Sequence, residues 1–242
     1  MTTDEFSNAF DTLLNSYNSD FEFGTTHSQY DIVLDEYEKS VFLTKAQEQI
    51  VTELYSGRNN FGASFEETEE LRSKLRAIIK TQELVKCTDE SELYKVHPNS
   101  QFFYLPDDVL FITYEEAILD DEKSGCKNNT MISVVPITQD EFHKTVNNPF
   151  RQANLRRALR LDYNDSTLEI VSNYNIGKYI LRYLKKPTPI VLGDFSEMGA
   201  FKKVDCKRTE CILDPMLHQL ILERAVLLAI QSKGQQSRTQ NV

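Results

Sequence analysis

ALRLDYNDSTLEIVSNYNIGKYILRYL, from Ala158 to Leu184, is the stretch that decides the fold class. Leu159, Leu161 and Tyr163 alternate with Arg160 and Asp162, the period-two pattern of a strand with one face toward a core. Asn164-Asp165 is turn chemistry, because short polar side chains bond their own backbone and tolerate unusual dihedrals. TLEIVS and GKYILRYL resume the alternation, joined through Asn173 to Gly177, so the stretch reads as an antiparallel meander. Upstream, QFFYL, VLFITYEEAIL and MISVVPI read as strands too, parted by Pro106-Asp107-Asp108 and by the turn-rich stretch Lys123 to Thr130. A short helix opened by Thr138 and Glu141 lies between, and PIVL (Pro189 to Leu192) reads as one more strand. Phe102, Phe103, Tyr104, Tyr179 and Tyr183 fall at strand spacing and read mostly as core.

Helical periodicity brackets this region. Phe6, Phe10, Leu13, Leu14 and Tyr17 share one face of a helix from about Thr3 to Tyr17, with a linker from Asn18 to Asp31. A second helix opens at Asp35, with Glu38 placed for a capping box, and Gly57 stands just past its end. Its expected buried stripe is Tyr37, Val41, Ala46, Ile50 and Leu54. Ser64 and Glu67 open a third helix, with Leu71, Leu75, Ile78 and Ile79 inward. Asp214-Pro215 opens a last one, with Leu217, Leu220, Ile221, Ala225 and Leu228 inward and an end before Gly234. The expected architecture is α+β: a helical bundle built from the N-terminal helices and the C-terminal helix, with an inserted antiparallel β-rich region. Its expected parts are a helical part over residues 1–98, the β-rich insert over 99–211, a C-terminal helix over 212–234 packing on the helical part, and a flexible tail over 235–242.

Composition bounds the function classes. The chain has 242 residues, 40% hydrophobic and 26% charged, which fits one large domain or two small ones and excludes a disordered or collagen-like chain. Apolar runs fall far short of a membrane span. MTTDEF is acidic where a secretory signal is basic and then apolar, so no signal peptide is expected. Four cysteines without a CxxC pair read as reduced thiols. The net charge of −10 is unevenly spread: residues 1–139 hold 26 Asp and Glu against 11 Lys and Arg, whereas residues 140–210 hold 9 against 13. Such a division suits stacked or head-to-tail association of unlike surfaces and argues against wholesale wrapping of nucleic acid.

Three constellations could carry chemistry. Cys206, Cys211 and His218 form the one candidate metal cluster, but zinc sites want closely paired thiolates and a second pair, and Cys87 and Cys126 stand apart. Pro106-Asp107 followed by Asp121-Glu122-Lys123 resembles the PD…(D/E)xK pattern of metal-dependent nucleases; against it, the second part sits in turn-forming DDEKSG. The basic residues Arg151, Arg156, Arg157 and Arg160, with Lys185 and Lys186, form a candidate assembly interface, since arginine forks carboxylates bidentately. The same residues also suit a solvated sheet face. No catalytic or cofactor-binding residue and no cofactor is assigned.

Four stretches carry a resemblance: LDEYEKSVFLTKAQEQIV (Leu34 to Val51), NNPFRQANLRRALRLD (Asn147 to Asp162), KYILRYLKKPTPIVL (Lys178 to Leu192) and CILDPMLHQLILERAVLLA (Cys211 to Ala229). In this order they are similar to a family of virion structural proteins of crAss-like tailed bacteriophages of gut Bacteroidales. The resemblance implies a ring of the head-to-tail connector, adaptor-like, helical with a β-rich insertion, and not an enzyme. It implies as partners other copies of the chain in a twelve-fold ring, the portal protein, adjacent ring and tail proteins, and DNA passing through the lumen without sequence-specific binding. The implied place is the virion neck or tail, after assembly in the host cytoplasm. The acidic excess of residues 1–139 suits a lumenal face. A metal-dependent nuclease and a monomeric module that binds virion or host proteins are the alternatives.

Overall fold

The computed structural model describes residues 1–21, 33–58, 65, 67–88, 93–120, 130–195 and 207–239. The chain divides into two compact units, residues 1–78 with 187–242, and residues 79–186.

In the first unit three long helices pack on one another: α1 (Thr3–Phe21), α2 (Glu36–Ser56) and α5 (Pro215–Thr239). Asp35 caps α2 by the expected capping box, and Gly57 ends it in the left-handed region at φ 75°. The buried stripe of α2 is Leu43, Ala46, Gln47, Ile50, Val51 and Leu54, while the expected Val41 is exposed. A turn of 100° per residue puts Val41 with Lys45 and Glu48, on the face away from Ala46 and Ile50. Phe6, Phe10 and Leu14 of α1 and Leu217, Ile221, Leu222, Ala225, Val226 and Ala229 of α5 complete this core.

Ser40, Thr44 and Gln47, at helical spacing on α2, receive the extended segment Pro187 to Leu192. Leu192 N–H donates to Ser40 Oγ (3.0 Å), Ile190 N–H to Thr44 Oγ1 (3.1 Å), and Gln47 Nε2 to the Thr188 carbonyl (2.8 Å). The expected strand at PIVL is therefore a backbone satisfied by helix side chains, with one isolated bridge, Val191 to Thr209. Ion pairs tie the helices, among them Lys39 to Asp11 (2.6 Å) and a bidentate Arg224 to Glu53 (2.7 and 3.1 Å). The last helix, expected to end before Gly234, runs through it to Thr239, because a glycine costs only about 1 kcal/mol inside a helix.

The third helix is shorter than expected. Capped by Thr68, α3 (Glu69–Leu75) passes through a 3₁₀ turn at Arg76–Ile78 and becomes a strand at Ile79. Ser64 lies outside the described residues.

The second unit is a seven-stranded mixed sheet in the order β1-β7-β3-β4-β5-β6-β2. The strands are β1 (Ile79–Leu84), β2 (Ser100–Tyr104), β3 (Val109–Leu119), β4 (Met131–Pro136), β5 (Arg157–Asn164), β6 (Thr167–Val171) and β7 (Ile176–Lys185). Beyond Leu84 the chain reaches the opposite edge: Tyr104 N–H donates to the Val85 carbonyl and Cys87 N–H to the Phe102 carbonyl, both at 2.9 Å. The sheet thus curls until the continuation of β1 meets β2. Inside the curl lie Phe103, Ala117, Leu119, Ile132, Ala158, Leu168, Ile170, Tyr179, Leu181 and Tyr183. On the other face Leu159, Leu161 and Val171 pack with Phe142 of α4 (Phe142–Val146) and with Ala153.

The expected helical bundle with an antiparallel insert is overturned by this sheet, which is the chain's chief element. Two facts make the difference. β4 and β5 pair parallel, Ser133 beside Arg157, because the connection carrying α4 is long enough to cross over. And β7 does not continue a meander from β6: it pairs with β3 and β1, leaving β6 to β5 and β2.

Candidate assembly surface

The six basic residues singled out from sequence separate into three environments. Arg151 and Arg156 are exposed on the connection between α4 and β5, and Arg157 is half-buried at the start of β5, its guanidinium 3.5 Å from the Phe150 carbonyl. Lys185 ends β7 and Lys186 follows it, with Lys186 Nζ donating to the Asp107 carbonyl (3.1 Å). Register places the two groups apart: Arg157 lies in one row with Ser133, Glu116 and Ile180, whereas Lys185 pairs with Val109 at the far end of β7.

Arg160 stands alone inside the curl, 9% exposed. Its Nη1 lies 2.7 Å from Glu115 Oε1, and Tyr179 Oη donates to Glu115 Oε2 at 2.6 Å. Burial pushes the Glu115 carboxyl upward, opposed by the Arg160 charge and the Tyr179 hydroxyl; burial and the facing Glu115 push the Tyr179 hydroxyl upward as well. This guanidinium is spent within the unit.

The connection from Asn147 to Arg157 is held in one shape by its own polar groups and by Asn173, which follows β6. Phe150 N–H donates to Asn148 Oδ1 (2.9 Å), Gln152 N–H to the Asn148 carbonyl (2.9 Å), Arg156 N–H to Asn154 Oδ1 (2.8 Å), and Asn173 Nδ2 to the Ala153 carbonyl (2.9 Å). Phe150 projects from it 89% exposed, with Arg151 and Arg156 on the same connection. Sequence reasoning passed Phe150 over; the signal was an aromatic directly after proline, between asparagines and arginines, where no strand or helix period could bury it.

The other constellations resolve differently. His218 is 5% exposed, packs on Phe6, and has Nε2 3.1 Å from the Leu213 carbonyl and Nδ1 2.6 Å from the Met1 amine. Cys211 Sγ donates to Gln47 Oε1 (3.3 Å), and Cys206 and Cys126 lie outside the described residues. Asp107 is exposed beside Asp108, which accepts from Tyr183 Oη (2.9 Å) and from Lys80 (3.2 Å); Asp121, Glu122 and Lys123 lie outside the described residues. Among the described residues no group of three or more His, Cys, Asp or Glu is placed to hold a metal ion.

The family described as phage tail ring protein 3/4 matches residues 1–241. The chain is 47% identical to Ring protein 3 of Bacteroides phage crAss001 over 237 residues, 97% of each chain. It is 31% identical to Ring protein 4/5 of the same phage, covering 95% of this chain and 92% of the relative. A match of this extent takes in both units and every basic residue discussed above, so the chain belongs to the phage tail ring protein 3/4 family and is a structural ring protein of a crAss-like phage.

Proposed function

We propose that the chain forms a closed ring of the head-to-tail connector below the portal, following the portal's twelve-fold symmetry, and that DNA passes through the ring's lumen. The full-length match to a tail ring family carries this reading. A subunit of such a ring needs unlike surfaces on its two sides, and the chain supplies unlike chemistry: an acidic first half and, in Asn147 to Arg157, a shaped basic loop. The ring works by shape and makes or breaks no bonds. Arg151, Arg156, Arg157, Lys185 and Lys186 serve contacts with neighbouring copies or adjacent rings, while Arg160 holds its own unit together. The acidic residues of the first half line the lumen, where weak phosphate binding lets DNA slide. Assembly takes place in the host cytoplasm, and the finished ring resides in the neck or tail.

Co-sedimentation of the purified chain with portal assemblies tests the placement. The expected result is a portal-bound ring whose averages share the portal's symmetry. A chain that forms rings yet ignores the portal removes the connector placement.

A further inference from the structure

We infer that Phe150 of one copy seats on the outward face of α5 of the next copy, with Arg151 and Arg156 meeting Glu223 there. The inference rests on the reading of the chain as a ring former and names the contact that closes it. α5 carries a second apolar stripe besides its core face: Met216, Leu220 and Leu227, at helical spacing, are 79%, 41% and 42% exposed. Glu223 is exposed on the same stripe, one turn from both Leu220 and Leu227, and among the described residues its carboxylate is bonded only along the helix, by Gln219 Nε2 (3.0 Å). This surface offers apolar area with one carboxylate at its middle.

The loop offers the reverse. Its aromatic side chain is exposed, its backbone is pinned, and neither the Arg151 nor the Arg156 side chain pairs with a carboxylate among the described residues. Aromatic residues and arginine are enriched in protein interfaces, and a loop whose backbone is already pinned has less conformational entropy to lose on binding. Loop and helix face are unlike surfaces carried by one chain, so their pairing is heterologous, and repeated heterologous contacts close into a ring when the rotation allows.

The test blocks each surface in a separate chain, Phe150→Asp on the loop and Met216→Asp on the helix. Both positions are largely exposed, and an aspartate in the first turn suits the helix dipole, so both variants keep the wild-type circular dichroism and melting curve. Assembly is read by analytical ultracentrifugation. The wild-type chain assembles; each variant alone needs roughly thirty-fold higher concentration, the effect of losing one hot-spot anchor. An equimolar mixture of the two gives a discrete dimer, since one intact loop and one intact helix face remain. A variant that assembles like the wild type, or a mixture that stays monomeric while the wild type assembles, overturns the contact and leaves the ring reading standing. A wild-type chain that stays monomeric up to millimolar concentration overturns the contact as well, and the ring reading is then decided by the co-sedimentation with portal assemblies.

Discussion

Glu115 on β3 and Arg160 on β5 meet at 2.7 Å inside the curl of the sheet, across the strand that separates them, where Val134 of β4 faces the same core. Tyr179 of β7 closes the group from the other side of β3. One buried polar group thus joins side chains from three strands, β7, β3 and β5, across four neighbouring positions of the sheet, which fits a subunit whose value lies in holding a shape. Burying the pair costs several kcal/mol of desolvation per ion, recovered only while both partners are present.

Removing one partner therefore does more harm than removing both. Arg160→Ala or Glu115→Ala is expected to destabilise the sheet unit by about 3–5 kcal/mol, while Glu115→Leu with Arg160→Met stays within about 1–2 kcal/mol of the wild type. Urea denaturation of the three variants checks this, and a double variant as unstable as the singles would contradict it.

Gln47 is fully buried and bonds the Thr188 carbonyl. Gln47→Leu keeps the volume but leaves that carbonyl without its donor, so a loss of about 1–3 kcal/mol is expected. Faster hydrogen exchange at the Ile190 and Leu192 amides should accompany it, because the segment loses its bond to Gln47 and keeps those to Thr44 and Ser40.

Burial lowers the affinity of His218 for a proton, with the nearby N-terminal ammonium adding to the effect against the Leu213 carbonyl and Asp214. A group neutral in the folded state and freer to charge when unfolded contributes stability above its ordinary value, and that contribution is lost as pH falls through the lowered folded value. The thermal midpoint should drop as pH falls below the ordinary histidine value of about 6.5, and His218→Gln should flatten the drop. Equal slopes in wild type and variant would contradict the assignment.

Gly177 lies where the start of β7 passes close to the end of β3. A Cβ there would stand 2.7 Å from the Asp120 Cβ, and Asp120 is held by its N–H to the Asn175 carbonyl (2.9 Å) and by Asn175 Nδ2 on its own carbonyl (3.1 Å). Gly177→Ala is expected to cost about 1–3 kcal/mol, as overpacking does. Calorimetry decides it.

Local chemistry was legible where local forces act alone. The Asp35 and Glu38 box, the Gly57 stop, and the strand Val109 to Leu119 are all as read from periodicity and turn residues. Neighbourhood was not. Alternation in ALRLDY says which side chains share a face, but both faces of β5 are covered, so Arg160 and Leu159 are buried alike. Nothing local says that β4 pairs parallel with β5, because that depends on where a crossover returns. Ile78 and Ile79 fit a helical stripe and a strand start equally well, and the pairing of β1 with β7 decided between them. Of the proposed interface residues, sequence marked the arginines by charge; it could not separate the buried Arg160 from the exposed Arg151 and Arg156, nor show Phe150 facing solvent.

The account stands on the chain being a repeated tile of a ring. Symmetry-resolved electron cryomicroscopy of purified virions, with this chain tagged at a tolerated site, tests it most directly. The account predicts tagged density repeated around the tail axis as one closed ring, with the sheet unit recognisable in each repeat. Absence of the chain from purified particles, or its presence as a single copy off the axis, would contradict it.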